Sequence, residues 1–226
     1  MFEVASAAVC EIRDLGVMRY VPAFELQREL VEQRKSGAIP DQLLFVEHPP
    51  VVTLGRNAHE ENVLADAELL DRAGIELHHT DRGGDVTYHG PGQIVCYPIF
   101  DLREWKRDVV AYVRSIEEVL IEALSEFDIQ GRRLPGATGV WISTPGGPAK
   151  IAAIGVHISR WVTSHGFALN VDTDLTYFRY IVPCGLTQPV TSMRAAGSRA
   201  ERKEVMNALA RSFARVFERD LMESKN

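Results

Sequence analysis

One cysteine stands between a proline and a glycine, in Ile181-Val182-Pro183-Cys184-Gly185-Leu186, and it is the residue here best suited to nucleophilic chemistry. Proline fixes the approach of the chain. Glycine leaves the sulfur unobstructed and a backbone N–H free to face a developing oxyanion. A reactive thiolate also needs access and a nearby positive charge. Lys150 opens the apolar run Lys150-Ile151-Ala152-Ala153-Ile154-Gly155-Val156-His157. A lysine at the mouth of an apolar strand can exchange protons once its ammonium is partly desolvated; a solvated hairpin-end lysine is the alternative. A third stretch, Asp81-Arg82-Gly83-Gly84-Asp85-Val86-Thr87-Tyr88-His89-Gly90-Pro91-Gly92, combines paired glycines with Arg, Tyr and His. Such glycines let a backbone approach a ligand closely while the polar groups converge on it. A turn-rich hairpin with incidental polar side chains is the other reading of the same residues.

The remaining candidates are weaker. Cys10 in an N-terminal strand and Cys96 in the apolar run from Ile94 to Ile99 read as inert buried thiols. The histidines 78, 79, 89, 157 and 165 lack the paired spacing of zinc ligands, so no metal site is expected. There is no Gly-x-Ser-x-Gly elbow, Walker loop or GxGxxG fingerprint. Three cysteines in 226 residues suit a reducing, cytoplasmic setting with free thiols. No apolar run reaches the roughly 18 residues that span a bilayer, so no membrane association is expected. A formal net charge of -6 argues against nucleic acid as a partner. An acidic protein could still meet a local patch from Arg132, Arg133, Arg194, Arg199, Arg202 and Lys203, unless these are merely solvated.

The elements that must position these residues are interleaved, without repeat or linker, so one domain over residues 1–226 is expected. Helices are expected over Phe24–Lys35, Ala65–Ala73, Asp108–Phe127 and Glu201–Leu221. In the third of these, Val109, Val113, Ile116, Leu120, Ala123 and Phe127 share one face, leaving Glu117, Glu118 and Glu122 to solvent. Strands are expected over Leu43–Val46, Val51–Leu54, Ile75–His78, Ile94–Ile99, Val140–Ile142, Ile151–Ile158 and Phe167–Val171. Pro145-Gly146-Gly147-Pro148 marks a hairpin turn. Hairpins alternating with helices give an α+β fold, a mixed and largely antiparallel sheet with packed helices.

Taken together, HPPVVTLG, RGGDVTYHGPGQIVCYPIFDL, KIAAIGVHISRWVTSHGFALNV and DLTYFRYIVPCGL closely resemble the lipoyl(octanoyl) transferase family, in order and over most of Glu47 to Leu186. The resemblance implies a fold shared with biotin and lipoate protein ligases. It implies transfer of octanoyl from octanoyl-acyl carrier protein to a lysine of lipoyl domains, in 2-oxoacid dehydrogenase and glycine cleavage proteins, without a cofactor. The family's acyl-thioester cysteine falls on Cys184, and the lysine that activates it on Lys150. Substrate binding falls on Arg82, Gly83, Gly84, Asp85, Val86, Thr87, Tyr88 and His89. It falls also on Ala153, Ile154 and Gly155, and on Gly166, Phe167 and Ala168. Asp85 and Ala153 stand where the family varies. On this reading small residues leave a groove that Ile154 and Phe167 line, with Tyr88 and His89 facing its reactive end.

Overall fold

The computed structural model describes residues 8–183 and 188–224. Cys184, with Gly185, Leu186 and Thr187, lies outside the described residues. The chain builds strands β1 (Ala8–Val17), β2 (Asp41–Glu47), β3 (Val51–Leu54), β4 (Glu76–His79), β5 (Val86–His89), β6 (Gln93–Ile99), β7 (Arg132–Leu134), β8 (Ala137–Thr144), β9 (Gly147–Ser159), β10 (Val162–Asn170) and β11 (Arg219–Glu223). Its helices are α1 (Tyr20–Lys35), α2 (Ala67–Arg72), α3 (Val109–Ser125) and α4 (Arg202–Phe217). An eight-stranded sheet runs β11-β1-β2-β6-β10-β9-β8-β7, and β4-β3-β5 form a small second sheet. β1 lies parallel to both its neighbours and β4 parallel to β3, while the other pairings are antiparallel. The α+β class expected from the sequence is the one observed.

Strand alternation divides the large sheet between two cores. Leu43, Phe45, Ile94, Cys96, Phe167 and Leu169 pack with α3 and α4. Leu44, Val46, Val95, Tyr97 and Ala168 point the other way, toward Ala23, Leu30 and Val31 of α1. The two faces therefore differ in what covers them. A third cluster, with Val52, Leu54, Val86, Tyr88 and Ile181, fills the small sheet.

Helix ends follow local chemistry. Asp108 caps α3 by accepting from the Ala111 amide at 2.9 Å. α4 opens with a reciprocal capping box between Glu201 and Glu204. The helix expected to run to Leu221 stops at Phe217, because Glu218 takes a left-handed conformation with φ 53°. The chain then becomes β11, parallel to β1. Glu117, expected in solvent, is fully buried. It accepts from Arg114 at 2.7 Å, Arg133 at 3.0 Å and the Gly139 amide at 3.1 Å, which satisfies its charge.

Beneath the α1 and α4 ends lies a buried ionic cluster. Asp41, at the start of β2, bonds Arg34 of α1 at 2.8 Å and Arg219 of β11 at 2.9 Å. All three side chains are at most 6% exposed, so none of the charges is shared with bulk water.

Candidate active site

A cavity opens between the small sheet, α1 and the centre of the large sheet. Tyr20, Val95, Tyr97 and His165 border it, together with Arg82, Gly84, Thr87, His89, Ala153, Ile154, Gly155, Gly166, Phe167 and Ala168. A narrower recess continues it through the shared residues Thr87, Ala153 and Ala168, and Lys150, Gln93, Asn170, Phe178, Pro183 and Val190 line that recess. The glycine-rich stretch and the two apolar strands, far apart in sequence, therefore meet at one space.

β5 explains which members of its stretch reach the cavity. Thr87 and His89 border it, while Val86 and Tyr88 alternate into the small-sheet core. Tyr88 stacks on Tyr177 at 5.1 Å, and burial pushes its phenol pKa up. The expectation that Tyr88 faces the groove is corrected on this ground. His89 does border the cavity; its Nδ1 pairs with the Gln93 side chain at 2.8 Å. Burial, and then the neighbouring His48, hold its imidazole pKa down to about 3, so the ring is neutral at ordinary pH.

The preceding turn is held from both sides. Arg82 donates to the Thr53 carbonyl at 2.6 Å and to the Thr53 hydroxyl at 2.9 Å. The Gly83 amide donates to Val156 O of β9 at 2.8 Å, and Gly83 faces the outer side of that strand. Gly55 is required here: a Cβ on it would lie 2.3 Å from Gly84 O. The Asp85 carboxylate does not border the cavity; it accepts from the His59 amide and the Asn62 side chain.

On the sheet side, Ala153 pairs with Ala168 and Gly155 with Gly166, so small residues set the width of the floor. Ile154 and Phe167 border the cavity as well, but both pack into the α3–α4 core. The groove is therefore bounded by what Ala and Gly omit more than by those two side chains.

Lys150 reaches this side through an irregularity that spacing alone does not reveal. In the β8–β9 ladder Val140 pairs with Ala152, but Trp141 pairs with Lys150, so β9 carries one extra residue. Ile151 and Ala152 both enter the α3–α4 core, and Lys150 emerges beside Ala153 in the recess. Gly139 admits the bulge, since its φ is 116° and a Cβ there would lie 2.6 Å from Ala152 O. Lys150 is 7% exposed, and its ammonium lies 4.8 Å from the centre of the Trp141 ring. Among the described residues no carboxylate pairs with it. Its main chain holds the segment beyond residue 187: Lys150 N donates to Pro189 O and Thr191 N donates to Lys150 O, each at 2.9 Å.

Burial raises the thiol pKa of Cys10 and of Cys96, as expected of inert core cysteines. Among the described residues no group of three His, Cys, Asp or Glu side chains could hold a metal. No helix among them is long and apolar enough to cross a membrane. Of the basic residues considered as a patch, Arg133, Arg194 and Arg202 are held by Glu118, Asp172 and Asp14. Thr53, Gln93 and Asn170 carry no signal in their residue type or spacing. Their roles come from pairing across the fold.

Residues 19–214 match the family model for the lipoyl protein ligase A/B catalytic domain. The octanoyltransferase of Solibacter usitatus is 58% identical over 213 residues, covering 94% of this chain and 95% of the relative. That of Koribacter versatilis is 52% identical, covering 94% and 86%. The fold is that of a bipartite lipoate protein ligase from Thermoplasma acidophilum, with a TM-score of 0.74 at 19% identity, covering 97% of this chain and 87% of that one. The chain belongs to the lipoyl protein ligase A/B catalytic-domain family, within its octanoyltransferase group.

Proposed function

We propose that this chain, as one catalytic domain, moves octanoyl from octanoyl-acyl carrier protein to a lysine of lipoyl domains through a thioester on Cys184. The observation that carries the reading is the buried end of the cavity. Lys150 lies there with Pro183, and Lys150's own main chain binds Pro189 and Thr191, so the residues on both sides of 184–187 meet at one lysine. The Cys184 thiolate attacks the donor thioester carbonyl, the carrier thiol leaves, and Lys150 passes the thiol proton to it. The acceptor amine then attacks the enzyme thioester, its proton passes to the now neutral Lys150, and the amide forms as the cysteine leaves as thiolate. The donor thioester supplies the activation, so neither ATP nor another cofactor enters. Lipoyl domains of 2-oxoacid dehydrogenase and glycine cleavage proteins are the acceptors by this reading, and the cytoplasm is its setting.

The alkyl chain is assigned to the floor between Ala153, Gly155, Gly166 and Ala168, where each buried methylene contributes about 0.8 kcal/mol. A neutral His89 adds no charge of its own to the cavity wall. Intact-protein mass spectrometry after mixing with octanoyl-carrier protein is the decisive test. Wild type gains one octanoyl group and Cys184→Ala gains none; equal labelling of both overturns the assignment. Product formed only with free octanoate, ATP and magnesium would mark a ligase instead.

Gly155 offers a test of the acyl site. A Cβ there would lie 2.8 Å from Gly83 O and 3.2 Å from Arg82 Cδ, so a larger residue crowds Arg82 at the cavity wall and takes space from the floor. Gly155→Val is expected to shift preference from eight-carbon to shorter donors by about tenfold in kcat/KM, the size of a one- to two-methylene loss. A chain-length profile identical to wild type removes the alkyl chain from this floor.

A further inference from the structure

Asp85 belongs to the glycine-rich stretch, yet its carboxylate is turned from the cavity toward the exposed loop that follows β3. Oδ1 accepts from His59 N at 3.0 Å and Oδ2 from Asn62 Nδ2 at 2.5 Å. Asn62 ends a single 3-10 turn, Glu60–Asn62. Its carbonyl accepts from Val182 N at 2.7 Å, and Val63 forms a bridge with Ile181. The amides of Leu64 and Ala65 both donate to Tyr180 O, at 2.8 and 3.2 Å. The chain running toward Cys184 thus hangs on the main chain of residues 62–65.

That loop touches the small-sheet core through the small apolar residues Ala58, Val63 and Ala65. Arg56, Asn57, His59, Glu60, Glu61 and Leu64 are exposed. Between those anchors the loop takes its shape from its polar contacts, and the Asp85 carboxylate closes two of them. On the far side of residues 184–187 the chain is held by Lys150, so the two supports are independent.

We infer that Asp85 and Asn62 are a positioning pair that sets the approach of the chain to the Cys184 nucleophile. The inference rests on the thioester reading above. It also gives the glycine-rich stretch two functions from one turn: Arg82 and Gly84 border the cavity, while Asp85 holds the path to the sulfur. Misplacing a nucleophile by an ångström slows the step it performs without abolishing the fold.

The test measures acyl-enzyme formation by rapid quench and intact-mass analysis at saturating octanoyl-carrier protein, per folded molecule by circular dichroism. Asp85→Ala and Asn62→Ala are each expected to slow Cys184 acylation about 10- to 100-fold, as geometric misplacement does. Asn62→Asp sets two carboxylates against each other and is expected to slow it as much. Adding Asp85→Asn to Asn62→Asp exchanges donor and acceptor, and is expected to recover most of the rate. A purely structural role would lower the melting temperature without this reciprocal recovery. If wild type takes up octanoyl on Cys184 while the alanine variants keep its rate, or the double variant stays as slow as Asn62→Asp, the pairing is wrong. If wild type itself takes up none, the thioester reading fails, and the pairing with it.

Discussion

Lys150→Ala is expected to slow octanoyl uptake at neutral pH by about 10²- to 10⁴-fold, the range typical of a lost general acid–base group. The recess leaves no substitute. Lys150 is buried against Trp141, and among the described residues no other lysine, arginine or histidine closes that end of the cavity. Without the ammonium the sulfur must ionise unaided, so uptake by the variant should climb with pH toward the ordinary thiol value of about 8.5. Lys150→Arg should not restore the rate, because a guanidinium stays protonated and cannot pass the proton on. A variant with the wild-type rate and pH profile would leave Lys150 without a part in activation.

Asp41→Ala is expected to carry the largest stability loss. The substitution leaves Arg34 and Arg219 buried and facing an apolar methyl. Removing one partner from such a cluster costs about 3–5 kcal/mol. For a chain of this length that corresponds to a fall of about 10 °C in melting temperature. Arg34 retains Glu104 at 2.6 Å and the buried Asp101 at 3.6 Å, so the loss falls chiefly on Arg219, which pairs with no other carboxylate among the described residues. Differential scanning calorimetry checks it, and a fall below 3 °C would show that water or neighbouring groups compensate.

The sequence disclosed the parts of this molecule that obey a simple period. The apolar face of α3 and the run of β6 followed from spacing, because one face or both are buried and nothing interrupts the ladder. What escaped was set by partners distant in the chain. β11 continues the apolar pattern of α4, and only the left-handed Glu218 and the waiting edge of β1 separate them. Glu117 looked solvated because its own helix offers no hint of Arg133 or the Gly139 amide. At the site, the glycine-rich stretch and Lys150 stood out from residue type alone. Their division of labour did not: Tyr88 and His89 differ only in strand parity, and Lys150 reaches the recess only because β9 has one residue too many.

The position of β1 has a consequence for how the chain matures. It pairs on one side with a strand made soon afterwards and on the other with the strand at 219–223, some two hundred residues later. During synthesis that outer flank stays open until β11 leaves the ribosome, a long-lived template for misassociation. Arg219 joins the Arg34–Asp41 pair when β11 docks, so the event that seals the flank also brings the second guanidinium to that buried carboxylate. Closure of the sheet and completion of the buried ionic cluster are thus one late step, and a nascent chain stalled before residue 219 would hold both unfinished.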